Sequence, residues 1–143
     1  MWLVVGGAYA GKRRIVKERK KDAYWVSAYH QDKWKNFLGD EFLQSEIVFE
    51  GWEEWIKEEL EYGRGMEEIR LHISQFFDSL IQQEEQGWLS PTLIMLEMGR
   101  GIVPLEKENR MWRDLAGWIL QDAAKKSSEV TYVWNGLAQT MKK

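Results

Sequence analysis

LVVGGAYAGKRR, residues 3–14, decides how the rest of the chain is read. Leu3, Val4 and Val5 form a short apolar strand that runs into Gly6 and Gly7. Ala8, Tyr9 and Ala10 follow, and Gly11 and Lys12 then complete the spacing G-x-x-x-x-G-K of a phosphate-binding loop. Glycines let backbone N–H groups curl around phosphate oxygens, and the next helix aims its positive end at the same point. Lys12 is expected to reach the terminal phosphates. An ordinary strand–turn–helix connection can carry glycines too. The position directly after an apolar strand, with Lys12 in register, favours the phosphate reading. Arg13 departs from the pattern: it stands where a Ser or Thr hydroxyl would hold Mg²⁺. Arg13 either faces the anion and replaces part of the metal's charge, or points to solvent in a decayed site.

The 143 residues suit a single domain spanning 1–143. With 44% hydrophobic and 30% charged residues, the composition is that of a soluble chain with a real core. No apolar run is long enough to cross a membrane. The opening MWLVVGG lacks a basic start and is too short for a signal peptide, which suits the cytoplasm. The absence of cysteine excludes disulfide, zinc–thiolate and cysteine-nucleophile chemistry. A net charge of -3 argues against a general nucleic-acid binder. The nine tryptophans serve packing or stack a flat ligand, with packing the default.

Outward from the loop, helix and strand patterns alternate. Residues 11–21 form a basic helix, with its charges mainly on a solvated face beyond Arg13. Residues 22–29, DAYWVSAY, form a second strand and residues 46–49, EIVF, a short third one. Residues 52–62 form a helix with an apolar face of Trp52, Trp55, Ile56 and Leu60. Residues 66–86 place Met66, Ile69, Ile73, Phe76, Phe77 and Leu80 at intervals of three and four, one buried stripe. Residues 91–97, PTLIMLE, are continuously apolar up to Glu97 and read as a strand buried on both faces. A loop over 98–106, a helix over 107–126, a strand over 129–134, an Asn135–Gly136 turn and a tail strand over 137–141 complete the chain. This alternation predicts an α/β fold, a mostly parallel sheet flanked by helices.

Residues 97–117 read EMGRGIVPLEKENRMWRDLAG. This stretch resembles the adenosylcobinamide kinase / adenosylcobinamide-phosphate guanylyltransferase family of cobalamin biosynthesis. Glu97, Gly99, Gly101, Ile102, Val103 and Pro104 match its N-E-V-G-x-G-[IV]-V-P. Arg110, Trp112, Arg113, Asp114 and Gly117 match R-x-[FW]-R-D-x-x-G. Residues 6–13 stand against its G-G-A-R-S-G-K-S, and Glu50 resembles the glutamate ahead of a helix in that family.

The resemblance implies a P-loop domain that binds GTP or ATP, phosphorylates the cobinamide hydroxyl and then transfers GMP through a histidine. It also implies a corrinoid partner and a homo-oligomer. Three features depart from it: Arg13, the lack of any histidine in residues 31–44, and the apparent deletion of a carboxylate-ended strand between Glu50 and the long helix. That deletion predicts either a sheet closed up so that residues 24–28 lie beside residues 3–5, or a partner chain filling the gap beside them. His30 is read as a polar loop residue, and His72 as a half-buried packing residue.

On the enzyme reading the catalytic candidates are Lys12 and Glu97, with Glu97 orienting a water on Mg²⁺ or simply capping its loop. The binding candidates are Gly6, Gly7, Ala8, Tyr9, Ala10, Gly11, Lys12, Arg13 and Glu50. Arg110, Arg113 and Asp114 form helix charge pairs, bind phosphate or meet a neighbouring subunit. The favoured function is a nucleotide-binding relative with guanylyl transfer lost. The alternatives are a non-catalytic regulatory or corrinoid-binding homologue, and a P-loop kinase for another small hydroxylated substrate.

Overall fold

The sheet has six strands, and its order places the glycine-loop strand near the middle. The structure, a computed structural model, describes residues 1–37, 46–98 and 106–143. In chain order these are β1 (Trp2–Gly6), α1 (Lys12–Arg19), β2 (Tyr24–Ser27), β3 (Glu46–Glu50), α2 (Trp52–Glu61), α3 (Met66–Glu85), β4 (Ser90–Leu96), α4 (Lys107–Lys126), β5 (Glu129–Trp134) and β6 (Leu137–Lys142). Short 3₁₀ turns occupy Ala28–His30 and Trp34–Phe37. The order across the sheet is β2-β3-β4-β1-β5-β6. Every pairing is parallel except β5 with β6, which the Asn135–Gly136 turn joins antiparallel.

Alternation along β1 explains the layers. Leu3 and Val5 face the larger core, against Phe49, Leu93 and the apolar stripes of α2, α3 and α4. Trp2 and Val4 face the opposite side, where Val16 of α1 covers Val48, Ile94 and Val133. A strand with apolar residues on both faces has to lie inside such a sheet. β4 does so: its residues 91–95 are all buried between β3 and β1.

The larger core is built on aromatic rings. Trp52 is fully buried. Its ring centroid lies 4.9 Å from that of Trp55 and 5.1 Å from that of Phe77. Trp34 closes the cluster, 4.9 Å from Phe76. Arg70 of α3 forks onto Asp122 of α4, with Nε–Oδ2 2.7 Å and Nη2–Oδ1 2.9 Å, which fixes the two long helices side by side.

The strand order corrects one expectation. Residues 24–28 do not lie beside residues 3–5: β2 pairs with β3, and β1 sits between β4 and β5. No place beside β1 is open, because its register runs Trp2–Gly6 against both Thr92–Leu96 and Glu129–Val133. Residues 52–61 are helical, as their pattern predicts, and no strand lies between Glu50 and α3. The second strand is also shorter than its aromatic content suggests, since residues 28–30 turn into a 3₁₀ turn after Ser27. His72 is exposed on α3 rather than half-buried, because Ile69, Ile73 and Phe76 already carry the stripe into the core. Gly99, Gly101, Ile102, Val103 and Pro104 lie outside the described residues.

Candidate functional site

A cleft of about 700 Å³ opens at the carboxyl ends of β1, β3 and β4. In an open parallel sheet this is the end where ligands bind. Its wall is the glycine loop with Lys12, Arg13 and Arg14, and its other side is formed by Tyr29, Glu50, Ile94 and Leu96. β1 delivers the loop and α1 begins directly at Lys12, so the backbone N–H groups of the first turn have no partners earlier in the helix.

The loop is held from several sides. The Lys12 Nζ donates to the carbonyl oxygen of Gly7 at 2.6 Å, folding the side chain back over its own loop. The backbone N–H of Gly136 donates to the carbonyl of Ala10 at 2.7 Å, and Arg14 Nη2 donates to the carbonyl of Gly136 at 2.9 Å. The β5–β6 turn therefore clasps the loop from outside. The backbone N–H of Glu97 donates to the carbonyl of Gly6 at 2.9 Å. At the outer tip Tyr9 is fully exposed with a positive φ of 58°.

Two carboxylates stand under this cleft. Glu50 ends β3 and is 1% exposed. Arg13 Nε lies 3.1 Å from its Oε2, while its Oε1 meets no hydrogen-bond donor among the described residues. Glu53, in the first turn of α2, is also buried. Its Oε2 accepts from the Tyr29 hydroxyl at 2.5 Å, and its Oε1 is likewise unpartnered among the described residues. Gly51 makes this convergence possible: its φ is 88°, and a Cβ there would come 2.6 Å from the Cβ of Ala28. The chain can thus turn from β3 into α2 tight against the turn that carries Tyr29.

Burial sets the electrostatics. It lowers the Lys12 ammonium below the ordinary lysine range, with the charges of Glu53 and Glu50 opposing the shift. It pushes the Glu53 carboxyl up, against the Tyr29 hydrogen bond. It also pushes the Tyr29 hydroxyl up, reinforced by that bond to Glu53. A half-buried lysine at a helix start, beside a run of loop amides, is chemically suited to an anion that approaches from the open side of the cleft.

The conspicuous motif of α4 reaches this site from behind. Trp112 Nε1 donates to the backbone carbonyl of Glu53 at 2.8 Å, so α4 braces the first turn of α2. Arg113 Nη2 pairs with its neighbour Asp114 at 3.0 Å. Glu97 stands one residue past β4 and accepts from the Tyr132 hydroxyl at 2.7 Å. It is thus next to the loop through its backbone but turned toward β5 through its carboxylate. His30 is exposed in its 3₁₀ turn.

The family model described as cobinamide kinase / cobinamide phosphate guanyltransferase matches residues 11–141. The chain belongs to this family. It is a family of cobalamin biosynthesis, and the match takes in Lys12, Glu50, Glu97 and the whole of α4. No individual curated protein matches the chain. Gly6 and Gly7 precede the matched residues, so the loop's first half rests on its own geometry. Tyr29 and Glu53 were not singled out from sequence. The available signal was the acidic pair Glu53–Glu54 in the first turn of a helix whose other early residues are apolar. Among the described residues no helix is long and apolar enough to cross a membrane.

Proposed function

We propose that the chain is a nucleotide-binding member of the cobinamide kinase / guanyltransferase family, in which guanylyl transfer is lost and phosphoryl transfer is weakened. The observation that carries the binding is the glycine loop at the carboxyl end of β1, with Lys12 folded over it at the mouth of the cleft. GTP or ATP would place its phosphates against the loop amides of residues 7–11, with Lys12 exchanging the Gly7 carbonyl for phosphate oxygens. The family's description makes a corrinoid the acceptor.

Loss of guanylyl transfer is supported by the two histidines alone: His30 and His72 are both exposed, and residues 31–44 contain none. Weakened phosphoryl transfer is supported by Arg13 in place of a metal-holding hydroxyl. Glu97 is assigned a positioning role, fixing the end of β4 against Gly6 and β5. A panel of melting curves with ATP, GTP and cobinamide tests the reading. A ligand at a hundred times its Kd adds about 2.7 kcal/mol to the native state, a rise in Tm of roughly 5–10 °C. No rise with either nucleotide rejects it.

A further inference from the structure

We propose that Arg13 is a built-in counter-cation that stands in for the divalent metal beside the nucleotide's terminal phosphates, positioned there by Glu50. This rests on the nucleotide reading of the glycine loop and adds to it how the phosphate charge is neutralised.

The residues present do not fit a Mg²⁺ ion. Such an ion is bound through one or two oxygen ligands of the protein together with phosphates and waters. At residue 13 the chain offers a guanidinium, which has no lone pair to donate and repels a cation. Of the two carboxylates under the cleft, Glu50, which lines it, already has one oxygen 3.1 Å from Arg13 Nε, and Glu53 has one taken by the Tyr29 hydroxyl. The other Glu50 oxygen is buried and has no donor partner among the described residues.

The same geometry suits a fixed positive charge. Arg13 is half-exposed, so it borders the cleft rather than filling the core. Its guanidinium carbon lies 5.3 Å from the centroid of the Trp25 ring, which gives the side chain a flat support on one side. The Glu50 contact engages Nε. The two Nη groups carry four of the five guanidinium N–H donors, a fork that matches phosphate oxygens. Glu50 therefore holds Arg13 without competing for the groups that would meet phosphate. Lys12 and Arg13 are the first two residues of α1, so two side-chain cations join the helix's own positive end.

The test is calorimetry of GTP and ATP binding in Mg²⁺ and in EDTA, on the wild type and on Arg13→Ser and Arg13→Lys. The wild type is expected to bind within about threefold as well in EDTA as in Mg²⁺. Arg13→Ser is expected to lose about tenfold in EDTA, the size of a lost charge-assisted contact, and to recover with Mg²⁺ through its introduced hydroxyl. Arg13→Lys, which keeps the charge, is expected to fall between. Wild-type binding that weakens tenfold or more in EDTA overturns the proposal without need of any variant. So does Arg13→Ser binding as well as the wild type in EDTA. Wild type that binds neither nucleotide in either buffer overturns the nucleotide reading itself, and this proposal with it.

Discussion

The Tyr29 hydroxyl donates to Oε2 of Glu53 at 2.5 Å beneath the mouth of the cleft, joining the turn after β2 to the first turn of α2. Burial raises the Glu53 carboxyl above its ordinary value, more than the Tyr29 bond lowers it. A group with a raised folded pKa contributes stability that is fully present below its unfolded value and is lost as pH rises through the folded value. The ionised Glu53 is thus a cost at neutral pH. Glu53→Gln keeps an acceptor for Tyr29 and removes that charge. It is expected to raise Tm at pH 7 and to leave it nearly unchanged at pH 4. An equal shift at both pH values would show that burial of the charge is not the cause.

Gly6 has no room for a side chain. A Cβ there would come 2.4 Å from the carbonyl oxygen of Val133, which is backbone of the neighbouring strand. Gly6→Ala is expected to cost about 1–3 kcal/mol, the range for overpacking a filled site, by forcing β1 and β5 apart next to the loop. Urea unfolding measures it. A variant as stable as the wild type would mean that β5 yields there.

Trp52 is fully buried among Trp34, Phe49, Trp55, Phe76 and Phe77. Trp52→Ala removes the centre of that cluster and is expected to cost about 3–5 kcal/mol. Because Trp52 stands two residues after Glu50, which holds Arg13, weakened nucleotide binding should accompany the loss of stability. Urea unfolding and a nucleotide titration below the unfolding transition separate the two effects.

Lys12 must be charged to hold phosphate, and burial lowers its pKa from the ordinary lysine value. Affinity for nucleotide should therefore begin to fall on the alkaline side below pH 10.5, as the free protein loses that charge. Lys12→Arg, which keeps its proton, should flatten the fall. A wild-type affinity that stays level up to the ordinary lysine range would contradict it.

The elements were largely legible because their signals are local. The stripe of Ile69, Ile73, Phe76, Phe77 and Leu80 declares its helix, and the unbroken apolar run of β4 declares a strand covered on both faces. Strand order was not legible. Parallel strands joined by helices carry no local mark of which neighbour they meet, so β4's place between β3 and β1 had to come from packing. The same division holds in the site. Lys12, Arg13 and the loop were legible because they are contiguous. The Glu50 contact to Arg13 spans the sheet, and Tyr29 and Glu53 meet only because Gly51 allows a tight turn that sequence spacing does not announce.

The account stands most directly on the affinity of Lys12→Ala for GTP and ATP, measured by calorimetry beside the wild type. Loss of a charge-assisted contact to phosphate is expected to weaken binding by roughly tenfold to a hundredfold while Tm of the free protein changes little. Equal affinity in the two proteins would contradict the assignment of residues 6–12 as the phosphate cradle.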